Sequence, residues 1–215
     1  MVSFHSMFAA VQLAFVVSLT ISPLILKTSL LFVSGHGYLA DPPARTSAWR
    51  FGFNTPVNHN DNEMFCGGLN AKKAARGQCG VCGDPYNGTR HSEVGGKWVT
   101  KPPTIVAKYK SDSWIDVKVV LTTSHKGYYE FRVCPTTSDT QEVTQECLNK
   151  NTLEIEGFAD KKYPISSTSS IRVKLPNGVI CQRCVFQWDY TAGNEWNAPP
   201  EGQETYRGCA DITIE

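Results

Sequence analysis

Two segments of alternating polarity, joined by a short connection that carries a histidine, make up IDVKVVLTTSHKGYYEFRVC, residues 115–134. In the first segment the apolar residues alternate with Asp116 and Lys118, a period of two that predicts a half-buried β-strand. The second segment, residues 128–133, is rich in the aromatic and β-branched residues that strands favour. We therefore expect His125 to lie at a strand end, where the sheet fixes its direction.

Further strand-like segments follow this stretch toward the carboxyl end of the chain. They cover residues 153–158, 171–175, 185–190 and 210–214. Turn-forming residues such as Pro176-Asn177-Gly178 separate them. Many short strands with turn signals between them are typical of an antiparallel β-sandwich. The sequence thus predicts an all-β protein.

The region from residue 40 to residue 102 has a different character. It is rich in Gly, Asn and Pro and shows little periodicity, apart from one short helix expected around residues 68–76. A long irregular region held by cysteines is typical of a functional surface rather than of a linker.

All eight cysteines lie after residue 35, and an even number in a secreted protein predicts disulfides formed in an oxidising compartment. The candidates are Cys66, Cys79, Cys82, Cys134, Cys147, Cys181, Cys184 and Cys209. The two C-x2-C pairs, CGVC and CQRC, leave structural zinc as an alternative, although paired zinc knuckles usually lie closer together in sequence. Spacing alone does not determine which cysteines pair.

The amino-terminal segment, residues 1–35, contains a long apolar run with no acidic residue and one basic residue, Lys27. This pattern predicts a secretory signal peptide whose removal after Gly35 makes His36 the first residue of the mature chain. A signal anchor is the alternative, because the run is long enough to span a bilayer. Asn87-Gly88-Thr89 is a candidate glycosylation site and agrees with secretion.

Charge and length describe the part of the chain from residue 36 to residue 215. It contains all 20 acidic residues and all but one of the 21 basic residues, so its formal net charge is zero. It has no basic stripe of the kind that binds nucleic acid, and we expect no nucleic-acid partner. Its length suits a single domain.

A histidine at the first position of a mature chain has a special capacity to bind metal. The α-amine has a lower pKa than a lysine amine and can release its proton to a metal near neutral pH. The amine and the ring Nδ1 of His36 would then chelate one ion, and a second imidazole would complete a set of three nitrogens. Such a set favours copper. His125 is a candidate for the second imidazole, and position alone does not decide between it and His91.

The sequence resembles the lytic polysaccharide monooxygenases, most closely auxiliary activity family 15, which occurs widely in arthropods and other animals. The segments that carry the resemblance span nearly all of residues 36–215. They are HGYLADPPARTSAWRFGF, NDNEMFCGGL, CGVCGDPY, SHKGYYEFRVC, FQWDYTAGNEWN and ETYRGCADITI.

The resemblance implies a copper site known as the histidine brace. Its ligands match His36, through amine and ring, and His125, while the axial position matches Tyr206. It also implies an immunoglobulin-like or fibronectin-like sandwich with a flat face that carries one copper ion. An external electron donor and dioxygen or hydrogen peroxide are the implied co-substrates, and we expect a monomer.

Three further residues are candidates for the surroundings of the metal. Related enzymes commonly have alanine two residues before the second histidine, where this chain has Thr123. We expect the hydroxyl and methyl of Thr123 to narrow or polarise the oxygen site and so to affect the rate rather than metal binding. Gln187 and Glu204 lie in strand-like sequence, where each either hydrogen-bonds near the metal or faces solvent.

The resemblance implies oxidative cleavage of an insoluble β-1,4-linked glycan. Chitin is the first choice because the similar animal proteins occur mainly in organisms that contain chitin, and cellulose is the second. Exposed aromatic rings would stack on the sugar, and Tyr38, Trp49 and Tyr86 are candidates, with Trp49 expected to pack beneath the loops instead. The alternatives are a non-catalytic chitin-binding module and a copper carrier.

Overall fold

Two β-sheets share one hydrophobic core in the computed structural model, which describes residues 36–165, 171–195 and 197–215. These residues belong to one compact unit, Val33–Glu215. The predicted signal peptide lies outside the described residues. The strands are β1 His36–Asp41, β2 Ile105–Tyr109, β3 Trp114–Thr123, β4 Tyr128–Thr136, β5 Glu154–Ile155, β6 Tyr163–Pro164, β7 Ile171–Lys174, β8 Cys181–Thr191 and β9 Thr205–Ile214. Two short helices are α1 Leu69–Ala74 and α2 Gln145–Lys150.

The strand order confirms the predicted all-β sandwich. One sheet has four strands in the order β1-β3-β7-β5, and the other has five in the order β2-β9-β8-β4-β6. The pairs are antiparallel except for β2 and β9, which run parallel. The segment predicted at 153–158 forms a strand only over its second and third residues.

The alternation read in β3 corresponds to the burial of its side chains. Ile115 and Val117 are buried, while Asp116 and Lys118 are exposed. The opposing sheet supplies large aromatic side chains to the same core, among them Phe131 and Trp188. Because a period-two strand buries every second residue, the two sheets enclose a continuous apolar layer.

All eight cysteines form disulfides, so the zinc alternative does not hold. The pairs are Cys66–Cys79, Cys82–Cys209, Cys134–Cys147 and Cys181–Cys184. The cysteines of CGVC bond to different partners, whereas those of CQRC bond to each other. The Cys66–Cys79 disulfide therefore cross-links the irregular region internally, and the Cys82–Cys209 disulfide bonds it to strand β9.

A polar network also holds the irregular region against the outer face of β8 and β9. Gln187 is fully buried and donates from Nε2 to the Val81 carbonyl at 2.6 Å. Arg207 donates to the Gly80 carbonyl at 3.2 Å and pairs with the buried carboxylate of Asp189 at 2.9 Å. Buried polar groups need such partners, so this network fixes the loop to the sheet.

None of the helices in the described residues is long and apolar enough to cross a membrane.

Removing the Cys82–Cys209 bond by changing both cysteines to alanine should destabilise the protein by about 4 kcal/mol, because this bond closes a long loop in the unfolded chain. Its cysteines are 127 residues apart. Replacing the Cys181–Cys184 pair, only three residues apart, is the matched control and should cost about 2 kcal/mol or less. Denaturant unfolding without reductant measures both, and equal losses would contradict the loop-length argument.

Candidate metal centre

Strand β1 brings His36 into the four-stranded sheet. His36 lies opposite Thr123, the last residue of β3, and the register shifts by one residue before Gly37 pairs with Leu121. The backbone N–H of Gly37 also donates to the carbonyl of Asn62 at 3.1 Å. The start of β1 is thus held by β3 on one side and by Asn62 on the other. The residue that pairs with His36, Thr123, comes two residues before His125 in the chain.

His125 lies in the connection between β3 and β4, which belong to different sheets. Its side chain is only 7% exposed, and its Nδ1 is buried without a hydrogen-bond partner. Its backbone carbonyl accepts from Gly193 N–H at 2.8 Å. Burial, together with the nearby His36, lowers the pKa of His125, although Glu204 opposes this shift. The imidazole is therefore favoured in the neutral form, which is the form that binds metals.

Tyr206 lies on β9 and is fully buried. Its ring stacks on Phe65, from the irregular region, with 6.0 Å between ring centroids. Its hydroxyl donates to Oε2 of Glu204 at 3.4 Å. The same carboxylate oxygen lies 4.0 Å from Nδ1 of His125. One carboxylate therefore accepts a hydrogen bond from Tyr206 and lies near the second histidine without bonding to it.

The structure also places Glu63, which the sequence analysis did not single out, beside the first histidine. Its Oε1 lies 3.7 Å from Nε2 of His36. Carboxylates commonly orient metal-binding histidines through the ring nitrogen that does not bind the metal. In the sequence, the only indication of Glu63 is its position in NDNEMFCGGL. That segment comes close to His36 only after folding, so the sequence alone does not identify Glu63. Each histidine thus has one carboxylate nearby, Glu63 or Glu204.

Other candidates lie elsewhere or differ from expectation. Gln187 is not brought to the histidines, because it lies on the outer face of β8 in the network beneath Val81. It does not face solvent either, and Glu204 is mostly buried, with 12% of its side chain exposed. His59 packs edge-on against Trp49 with 5.6 Å between ring centroids. Trp49 is half-buried, as expected, whereas Tyr86 is exposed.

The residues at the site fit a copper ion of the predicted kind. They offer an imidazole with an unpartnered buried nitrogen, a second imidazole close enough to lower its pKa, and a phenol. Within the described parts of the chain, no group of three or more His, Cys, Asp or Glu side chains is arranged to hold a metal. The predicted set differs from such a group because one of its nitrogens is the backbone amine of His36. Imidazole and amine nitrogens suit Cu(II).

Comparison with known proteins agrees with this chemistry. A family model described as "Lytic polysaccharide mono-oxygenase, cellulose-degrading" matches residues 36–212. The chain is similar to the structure of an AA15 lytic polysaccharide monooxygenase from Thermobia domestica in the Cu(I) state, with 35% identity and a TM-score of 0.77, over 83% of this chain and 98% of that chain. No curated protein matches the chain.

Two other solved structures are similar at a lower level. Cellulose-active CelS2 in complex with copper has 15% identity and a TM-score of 0.44, over 84% of this chain and 99% of that chain. LPMO10B from Micromonospora aurantiaca has 14% identity and a TM-score of 0.49, over 83% and 99%.

The match over residues 36–212 and the 35% identity show that the chain belongs to the lytic polysaccharide monooxygenases. It is a copper-dependent polysaccharide monooxygenase, an oxidoreductase whose cofactor is copper. The resemblance to auxiliary activity family 15 is confirmed.

Changing Gly37 to alanine should displace β1 next to His36. An added Cβ would lie 2.8 Å from the Val120 carbonyl oxygen and 2.7 Å from Cδ2 of Leu121. We expect a loss of roughly 1–3 kcal/mol in unfolding free energy and about tenfold weaker Cu(II) binding by calorimetry. Gly202→Ala is the control, since its φ is not positive and its added Cβ would come no closer than 3.3 Å to another side chain. Unchanged copper affinity in Gly37→Ala would contradict this role of β1.

Proposed function

We propose that cleavage after Gly35 makes His36 the first residue, and that its amine and ring would bind copper together with His125, with the phenol of Tyr206 beside them. The observation that carries this proposal is the pairing of His36 with Thr123, two residues before His125. The buried position of Tyr206, whose hydroxyl donates to Glu204 near His125, supports its assignment.

The copper ion supplies the redox chemistry, in which an electron from an external donor allows reaction with dioxygen or hydrogen peroxide. The protein's part is to hold and orient the groups around it. Glu204 accepts a hydrogen bond from the hydroxyl of Tyr206 and a second one from Nδ2 of Asn194 at 3.3 Å. Glu204 would therefore keep the phenol oriented toward the metal. Thr123, opposite His36 in the sheet, is proposed to border the oxygen site.

The proposed substrate is an insoluble β-1,4-linked glycan, with chitin first and cellulose second. Membership of auxiliary activity family 15, which is common among arthropods, supports chitin. The family description names cellulose, which keeps it as the second candidate. Tyr86, 41% exposed, is a proposed stacking group because an exposed aromatic ring can lie flat on a sugar.

The enzyme is proposed to be secreted. Four disulfides leave no free cysteine among the described residues, as expected for a protein folded in an oxidising compartment. Asn87 is exposed, so it is accessible for glycosylation. Amino-terminal sequencing and the intact mass of the protein from secreting cells test the cleavage site and the glycan together.

The protein begun at His36, loaded with copper and supplied with ascorbate, should release soluble oxidised oligosaccharides from β-chitin, as measured by mass spectrometry. A matched protein that keeps Gly35 retains every side chain but ties the His36 nitrogen into a peptide bond. We expect its copper affinity to fall by more than the roughly 10–100-fold typical of losing an outer-shell partner, and its product release to be lost.

The other outcomes of this experiment identify the alternatives. Chitin binding without products would indicate a binding module, and tight copper binding with neither would indicate a carrier. Equal copper affinity with and without Gly35 would contradict the proposed ligand set.

A further inference from the structure

The hydroxyl of Tyr190 lies at the backbone of the connection that carries His125. It accepts a hydrogen bond from the His125 N–H at 3.0 Å and donates one to the Lys126 carbonyl at 2.9 Å. Tyr190 is fully buried, and it belongs to β8, a central strand of the five-stranded sheet. A core residue of one sheet thus reaches the connection that leaves the other sheet.

The connection around His125 needs such support because its backbone is unusual. Lys126 and Gly127 both have positive φ angles, 51° and 87°. The chain also passes so close to β8 that a Cβ on Gly127 would overlap the Thr191 carbonyl. The His125 carbonyl accepts a hydrogen bond from Gly193 N–H, and the His125 N–H donates one to the hydroxyl of Tyr190. Both backbone groups of His125 are therefore hydrogen-bonded.

The ring of Tyr190 also contacts Tyr206, another of the proposed copper-site residues. Tyr190 and Tyr206 are paired across β8 and β9, and their rings stack with 5.4 Å between centroids and 27° between planes. One side chain therefore touches the backbone of one proposed ligand and the ring of another. Both contacts depend on the same χ angles, so moving the Tyr190 ring would disturb the two proposed ligands together.

We infer that Tyr190 is a positioning residue, which sets the placement of His125 through its hydroxyl and that of Tyr206 through its ring. This inference rests on the proposed copper ligands. According to this inference, a core residue of the five-stranded sheet positions ligands of a site whose first ligand, His36, lies in the four-stranded sheet. Tyr190→Phe removes only the hydroxyl, with its hydrogen bonds to His125 and Lys126, and keeps the stacked ring, so it separates the role of the hydroxyl from that of the ring.

A purely structural role must be distinguished from positioning. Tyr163→Phe is the matched control, because Tyr163 is another buried tyrosine of the same core. Its ring contacts are with Tyr129 and Phe158 rather than with Tyr190 or Tyr206. Both variants remove the hydroxyl of a buried tyrosine residue, but only one loses a contact to the backbone of His125.

The test uses the complete mature protein begun at His36, with Cu(II) as the probe. In Tyr190→Phe we expect copper affinity to fall about 10–100-fold, as for other outer-shell partners, and the Cu(II) electron paramagnetic resonance spectrum to shift. Tyr163→Phe should keep the wild-type affinity and spectrum. An unchanged affinity and spectrum in Tyr190→Phe would overturn the inference.

Two further measurements keep the result interpretable. In the copper-free wild-type protein, the His125 amide should exchange with deuterium as slowly as strand amides, although it lies in a connection; fast exchange would overturn the inference even if Tyr190→Phe does not fold. His36→Ala serves to separate the two claims. If that variant binds copper like wild type, the proposed site fails, and the role of Tyr190 fails with it.

Discussion

The pairing of β1 with β3 is the constraint on which the rest of the site depends. β1 is at the edge of its sheet, and its first residue is the proposed terminal ligand. Chain termini are usually poorly ordered unless something ties them down. Here the ladder to Thr123 and the contact between Gly37 and Asn62 provide that tie. β3, the strand that pairs with His36, also leads directly into the connection that carries His125.

The second constraint comes from the other sheet. β3 and β4 belong to different sheets, so the connection between them crosses the end of the sandwich. His125 lies in that crossing, and its pKa is lowered mainly by burial. Glu204 and Tyr206, which follow one another closely at the start of β9, approach from the five-stranded sheet. The proposed site is therefore assembled where the ends of the two sheets meet. The pairing of strands brings together groups that are distant in sequence.

Much of the fold could be predicted because burial leaves a period of two in the sequence. β3, β4, β8 and β9 are long enough to show it. β1 is not predictable as a strand, since HGYLAD is too short and mixed to show alternation. The parallel pairing of β2 with β9 and the disulfide partners are long-range choices, which no local pattern encodes.

The site divides in the same way. His36 and His125 could be singled out because of what a terminal imidazole can chelate and because of the family resemblance. Glu63 and Tyr190 could not, since their importance comes from contacts made only after folding. Gln187 was misplaced because a polar residue in a strand suggests an exposed face, whereas the irregular region covers that face here.

The most direct test of the central claim uses the fact that all three proposed nitrogen donors belong to histidine residues. Electron paramagnetic and electron–nuclear double resonance spectra of the Cu(II) protein begun at His36 should be recorded with natural-abundance histidine and with ¹⁵N-histidine. The account predicts three strongly coupled nitrogens, every one of which changes from ¹⁴N to ¹⁵N. A strongly coupled ¹⁴N that persists in the labelled protein, or a set of fewer than three nitrogens, would contradict it.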